Sequence, residues 1–172
     1  MRCWKGLLMI TVVCFSVVLV GCSQSEEDAL KDAENNAEEA FNKENAPQPN
    51  YTGEDSFAFY LPESLKVVDE DASNVILEDE DHTYIVFYNN LEDPTSTLNF
   101  ESAKDSEAVV YQSFKDEKKF GYIRIMSSGE EQYEIQIGVG GAKITTMTSK
   151  EDLDDQADML MRIARSIAIE KK

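Results

Sequence analysis

Apolar and polar residues alternate through four short runs at 108–114, 120–127, 131–139 and 142–148. Turn-forming stretches separate them: 115–119, Gly129, and Gly140-Gly141. A side-chain period of two with breaks this short dictates consecutive antiparallel strands, because parallel strands need crossovers of a dozen or more residues. In the third run Tyr133, Ile135, Ile137 and Val139 fall on one face and Glu134 and Gln136 on the other, the pattern of a sheet with one buried face. Something apolar must cover that face, and the residues that follow supply it. Ser149 stands as an N-cap with Asp152 three positions on, and Leu153, Ala157, Leu160, Ala164 and Ile167 form one helical stripe. Arg162 and Arg165 near the end of this helix suit its negative pole.

Upstream, Phe57-Ala58-Phe59-Tyr60 reads as a strand broken by the turn Leu61-Pro62-Glu63-Ser64, and Leu65-Lys66-Val67-Val68 resumes it. Residues 74–78 and 82–88 are joined by Asp79-Glu80-Asp81, short enough for a hairpin. Pro94 is placed to open a short helix reaching about Lys104. The order is three strands, a short helix, four strands and a closing helix. That is an α+β domain, an antiparallel sheet of six to seven strands packed against a C-terminal helix and one short helix. Phe57-x-Phe59-x-x-Pro62 followed by Lys66-Val67, the hairpin through Asp79 and the helix from Ser149 together resemble the PsbP or Mog-one fold. Proteins of that fold include photosystem extrinsic subunits, a nuclear-transport GTPase regulator and bacterial lipoproteins, so the resemblance implies an architecture and no single activity.

The N-terminus has a different character. Arg2 and Lys5 precede an apolar run from Gly6 to Val20, interrupted only by Thr11 and Ser16. These are the n-region and h-region of a signal peptide. At 1.5 Å per residue the run spans about 22 Å, short of the ~30 Å hydrocarbon core of a bilayer. It ends in Leu19-Val20-Gly21-Cys22, which resembles the lipobox of bacterial lipoproteins, and the acidic character that follows is similar to that of Gram-positive surface lipoproteins. The resemblance implies cleavage before Cys22 and a diacylglyceryl thioether on its sulfur, placing the protein on the extracytoplasmic face of the cell membrane. Two acyl chains give stable anchoring where one is marginal.

From residue 23 to 50 the composition shifts to Glu, Asp, Asn and Ala, with Pro47 and Pro49 near its end. Ser25 is placed to cap a helix from Glu26, with Asp28 as the acidic partner, and Leu30, Ala33, Ala37 and Phe41 fall on one side. So thin a stripe reads as an acidic, partly helical tether reaching roughly 30 Å. The expected organisation is a signal peptide at 1–21, lipidated cysteine and tether at 22–50, and a globular domain at 51–172.

Charge removes one class of partner. The formal net charge is −18, and since the first 21 residues hold two bases and no acid, the remainder carries −20. Such a surface repels phosphate backbones, so no nucleic-acid partner is expected. The three cysteines are Cys3, Cys14 and Cys22, which leaves the mature chain no disulfide and no cysteine metal site. His82 is the only histidine. No catalytic set and no cofactor is expected. Glu78, Asp79 and Asp81 form an acidic turn that is a weak candidate for a divalent cation, without EF-hand spacing. The segment from Gly138 to Lys143 lacks the Walker spacing and joins two strands. Tyr122, Arg124, Glu134 and Gln136 share the polar sheet face, and since Tyr and Arg are enriched at binding hot spots they mark a candidate binding face. The expectation is a membrane-anchored, non-enzymatic protein-interaction or accessory module with an envelope partner. The alternative is a lipoprotein binding a small ligand or divalent cation.

Overall fold

The computed structural model describes residues 24–54, 57–129 and 131–168, so the signal peptide and Cys22 lie outside the described residues. In chain order the elements are α1 (Glu26–Asn42), β1 (Tyr51–Thr52), β2 (Ala58–Phe59), β3 (Lys66–Glu70), β4 (Asn74–Glu78), β5 (Thr83–Tyr88) and α2 (Leu98–Ser102). They continue as β6 (Val110–Lys115), β7 (Phe120–Ser127), β8 (Gln132–Val139), β9 (Ala142–Ser149), one 3-10 turn, and α3 (Leu153–Ala168).

The four runs form the antiparallel meander β6 to β9, as their alternation requires. The last of these strands pairs with β5, which joins the meander to the β3–β4–β5 unit in one seven-stranded antiparallel sheet, ordered β3-β4-β5-β9-β8-β7-β6. β1 and β2 stand apart as a two-stranded ribbon, so the run from Phe57 contributes no strand to the main sheet. The β8–β9 turn depends on glycine: Gly140 has φ +54°, and a Cβ there would lie 2.6 Å from the Asp93 carbonyl oxygen.

One face of the sheet is the core. Val75, Leu77, Tyr84, Val86, Ile144, Ile135, Ile137, Ile123 and Ile125 are all buried on it. Ser149 Oγ hydrogen-bonds Asp152 at 2.7 Å beside the 3-10 turn that leads into α3. The whole expected stripe of α3 is buried, together with Gln156, Met161, Ile163 and Arg165. A helix buried nearly all round has neighbours on more than one side. Here β8 and β9 lie against one side, and α1 and β2 against others.

α1 is the main departure from the sequence reading. The helix begins at the Ser25 cap as expected, with Ser25 Oγ accepting from the Asp28 amide at 3.1 Å. It is no tether: Ala29, Ala33, Ala37, Ala40 and Phe41 are buried in the same core as the sheet. It runs beside α3 in the same direction, with Asn36 donating to the Asp154 carbonyl at 3.3 Å and Lys43 pairing with Asp158 at 2.9 Å. Phe41 reaches the sheet, 5.8 Å from the Phe114 ring, and its own ring would be 2.7 Å from a Cβ on Gly121. Alanines make a stripe that looks weak by size, yet small side chains are what allow two helix axes to approach closely. The folded unit therefore starts at α1, not at residue 51.

Phe41→Ala is expected to cost about 3–5 kcal/mol, comparable to about 2–5 kcal/mol for Leu160→Ala in α3. Urea unfolding with unchanged slope measures both; in a solvated tether Phe41→Ala would stay within about 0.5 kcal/mol of wild type.

Candidate functional site

The sheet face turned away from α1 and α3 carries the four residues singled out from sequence. Strand register sets Tyr111, Arg124, Gln136, Thr145, Ile85 and Ile76 in one row across β6, β7, β8, β9, β5 and β4. Tyr122 Oη donates to Gln136 Oε1 at 3.0 Å, Gln136 Nε2 donates to Thr145 Oγ1 at 3.2 Å, and the Arg124 guanidinium pairs with the Glu134 carboxylate. Tyr122, Arg124, Glu134 and Gln136 are thus brought together in two linked pairs, Tyr122 with Gln136 and Arg124 with Glu134, while the buried Arg124 Nε–H has no partner.

Tyr122 is not presented to solvent, which corrects the sequence reading: it is 1% exposed. α2 lies over this end of the face, where Phe100 stacks on Tyr111 at 4.3 Å and contacts Phe120 and Tyr122 at 5.4 and 5.8 Å. Beneath, Tyr122 crosses Gly138, where a Cβ would meet its ring at 2.4 Å. Burial pushes the Tyr122 hydroxyl far above the ordinary tyrosine range, and Arg124 opposes that only in part. Alternation in a strand tells which face a side chain takes, and says nothing about which part of that face a distant helix covers.

Beyond the cover of α2 the face turns apolar. Ile76 pairs with Ile85, and Met147 lies one diagonal step from Ile85 on β9. Ile85 is 49% and Met147 42% exposed. The margin is acidic: Asp69 opposes Ile76, Glu134 opposes Met147, and Glu78 ends β4. Sequence reasoning missed this patch, although β5 carries a signal for it. Tyr84-Ile85-Val86-Phe87-Tyr88 is apolar without alternation, the mark of a strand with apolar side chains on both faces.

The acidic turn is committed to the fold. Asp79 accepts from the amides of Asp81 and His82 at 2.8 and 2.7 Å and from Tyr84 Oη at 2.7 Å, and its Oδ1 lies 3.2 Å from His82 Nδ1. Burial works to raise the Asp79 carboxyl, and these hydrogen bonds outweigh it, so its pKa is lowered. Gln156 Nε2 donates to Tyr84 Oη at 3.1 Å, tying the β4–β5 hairpin to α3. Glu78 pairs at 4.0 Å with Lys66, while Asp81 is exposed. Among the described residues no three His, Cys, Asp or Glu side chains are grouped to hold a metal ion. None of the described helices is long and apolar enough to cross a membrane.

No protein-family model and no curated protein matches the chain. Among solved structures it is similar to the solution structure of cyanobacterial PsbP (CyanoP) from Synechocystis sp. PCC 6803, at 15% sequence identity and a TM-score of 0.42, over 63% of this chain and 84% of that one.

The buried phenols give a pH dependence. Burial, reinforced by the hydrogen bond to Asp79, raises the Tyr84 hydroxyl well above its ordinary value, as burial does for Tyr122. In the unfolded chain both ionise near pH 10. The stability they carry is therefore complete below about pH 10 and is lost as pH rises above it. Urea midpoints should fall progressively in that range, and Tyr84→Phe should flatten the slope by about one proton's worth; an unchanged slope would show that Tyr84 ionises freely in the folded state.

Proposed function

We propose that this chain is a lipid-anchored extracytoplasmic protein, held to the cell membrane through Cys22, whose domain is a non-enzymatic docking module for an envelope protein. The observation that carries the docking reading is the patch of exposed Ile85 and Met147 beside half-buried Ile76. It spans three adjacent strands on the part of the face that α2 leaves uncovered, and acids margin it. Contiguous exposed apolar surface ringed by polar groups is the signature of a protein interface. With a chain charge of −18 and an acidic margin, the complementary partner presents an apolar surface rimmed by Lys and Arg.

The packing of α1 sharpens the anchoring reading. Only Ser23 separates Cys22 from Gln24, where the described structure begins. Two extended steps cover at most about 7 Å. A lipid on Cys22 would therefore hold the domain against the bilayer at the end where α1 starts, instead of roughly 30 Å away on a flexible stalk.

Intact mass and membrane fractionation test the anchor: a diacylglyceryl-bearing chain beginning at Cys22 should stay with membranes, and Cys22→Ser should release it. An unlipidated wild type would refute the anchor. Crosslinking from intact membranes tests the docking face. A partner recovered with wild type and with the exposed-loop control Leu91→Asp, but lost with Ile85→Asp, is the expected result, and equal recovery with Ile85→Asp would reject this face.

A further inference from the structure

At the end of the domain where α1 and α3 both finish, four segments line a half-open cavity of about 320 Å³. Ala46 after α1, Pro94 before α2 and Ala168 of α3 give it an apolar wall, and Lys118 and Lys119 of the β6–β7 turn join Arg165 in a cationic one. Acids outnumber bases 34 to 16 in the whole chain, yet on this lining three bases face the single acid Glu44.

The basic groups are differently engaged. Arg165 is 3% exposed and has no carboxylate partner among the described residues. It donates to the carbonyls of Ala40 and Lys43 at 2.5 Å, capping the C-terminus of α1, and its Nε–H is left without a partner. Lys119 is held by the Asp116 carboxylate and lies 4.1 Å above the Phe41 ring. Lys118 is exposed and forms no ion pair among the described residues.

We propose that this cavity binds a small monocarboxylate with a short apolar body, its carboxylate met by Lys118 and Arg165 and its body by Ala46, Pro94 and Ala168. Lys118, which pairs with no carboxylate among the described residues, can form a charge-assisted hydrogen bond to a carboxylate, and the Arg165 guanidinium beside it adds a second positive charge. The apolar wall of Ala46, Pro94 and Ala168 favours a carboxylate with an alkyl body over inorganic phosphate, which has no apolar part to place there. The volume equals the share of about ten water molecules in the liquid, room for a six-carbon acid.

The test uses full-length protein, with hexanoate as probe, hexanol as its uncharged counterpart and inorganic phosphate as an anion without an apolar body. Hexanoate should raise Tm saturably at constant ionic strength and shift the backbone NMR signals of Lys118 and Lys119, while hexanol and phosphate do neither. Lys118→Gln should weaken hexanoate binding about threefold. Ala168→Leu, which fills the cavity, should abolish it while the protein stays folded. Arg165 is left intact because it caps α1. Absence of a saturable hexanoate response, equal responses to hexanol or phosphate, or undiminished binding in both variants would each overturn the proposal.

Discussion

Everything in this fold rests on the close packing of α1 against α3. A seven-stranded sheet exposes a broad apolar face, and one helix of sixteen residues is too narrow to cover it. α3 lies on the central strands β8 and β9, and α1 extends the cover to β7 and β6 through Phe41. The alanine stripe of α1 lets the two helices approach, and apolar burial at roughly 25 cal/mol per Å² then stabilises helices and sheet together. Because the helices run in the same direction, their negative poles collect at one end of the domain. Arg165 answers this with a buried guanidinium on the last carbonyls of α1. It arises from α3 but acts on its neighbour.

The same arrangement separates the faces and ends by role. Helices occupy one face of the sheet, and α2 with Phe100 shields part of the other. The uncovered remainder holds Ile76, Ile85 and Met147, while the cavity with Lys118 and Arg165 sits at the end opposite the start of α1. Anchoring through Cys22 would leave the cavity clear of the bilayer contact at the α1 start.

The meander and α3 were legible because their signals agree at several levels: period-two alternation, short turns, the Ser149 cap and a stripe of large apolar residues all point the same way. Helix α1 was legible as a helix and illegible as core, since periodicity weighs side-chain size and alanine contributes little of it. Tyr122 was placed on the correct face but misjudged in exposure, because its cover is Phe100, more than twenty residues earlier in the chain. Arg165 looked like a partner for its own helix pole, and only the parallel neighbour reveals its real acceptors. The sequence places Asp79 in an acidic turn, and only the fold shows the His82 amide and the Tyr84 hydroxyl donating to it.

Native-state hydrogen exchange tests the one-unit packing most directly, by comparing amides at 33–41 of α1 with those of β8 over increasing denaturant. Both sets should exchange through the same global opening, with free energies that fall in parallel. If the α1 amides exchange through a low-energy opening of their own while β8 stays protected, α1 is an appended tether, and the close anchoring that follows from its packing is wrong.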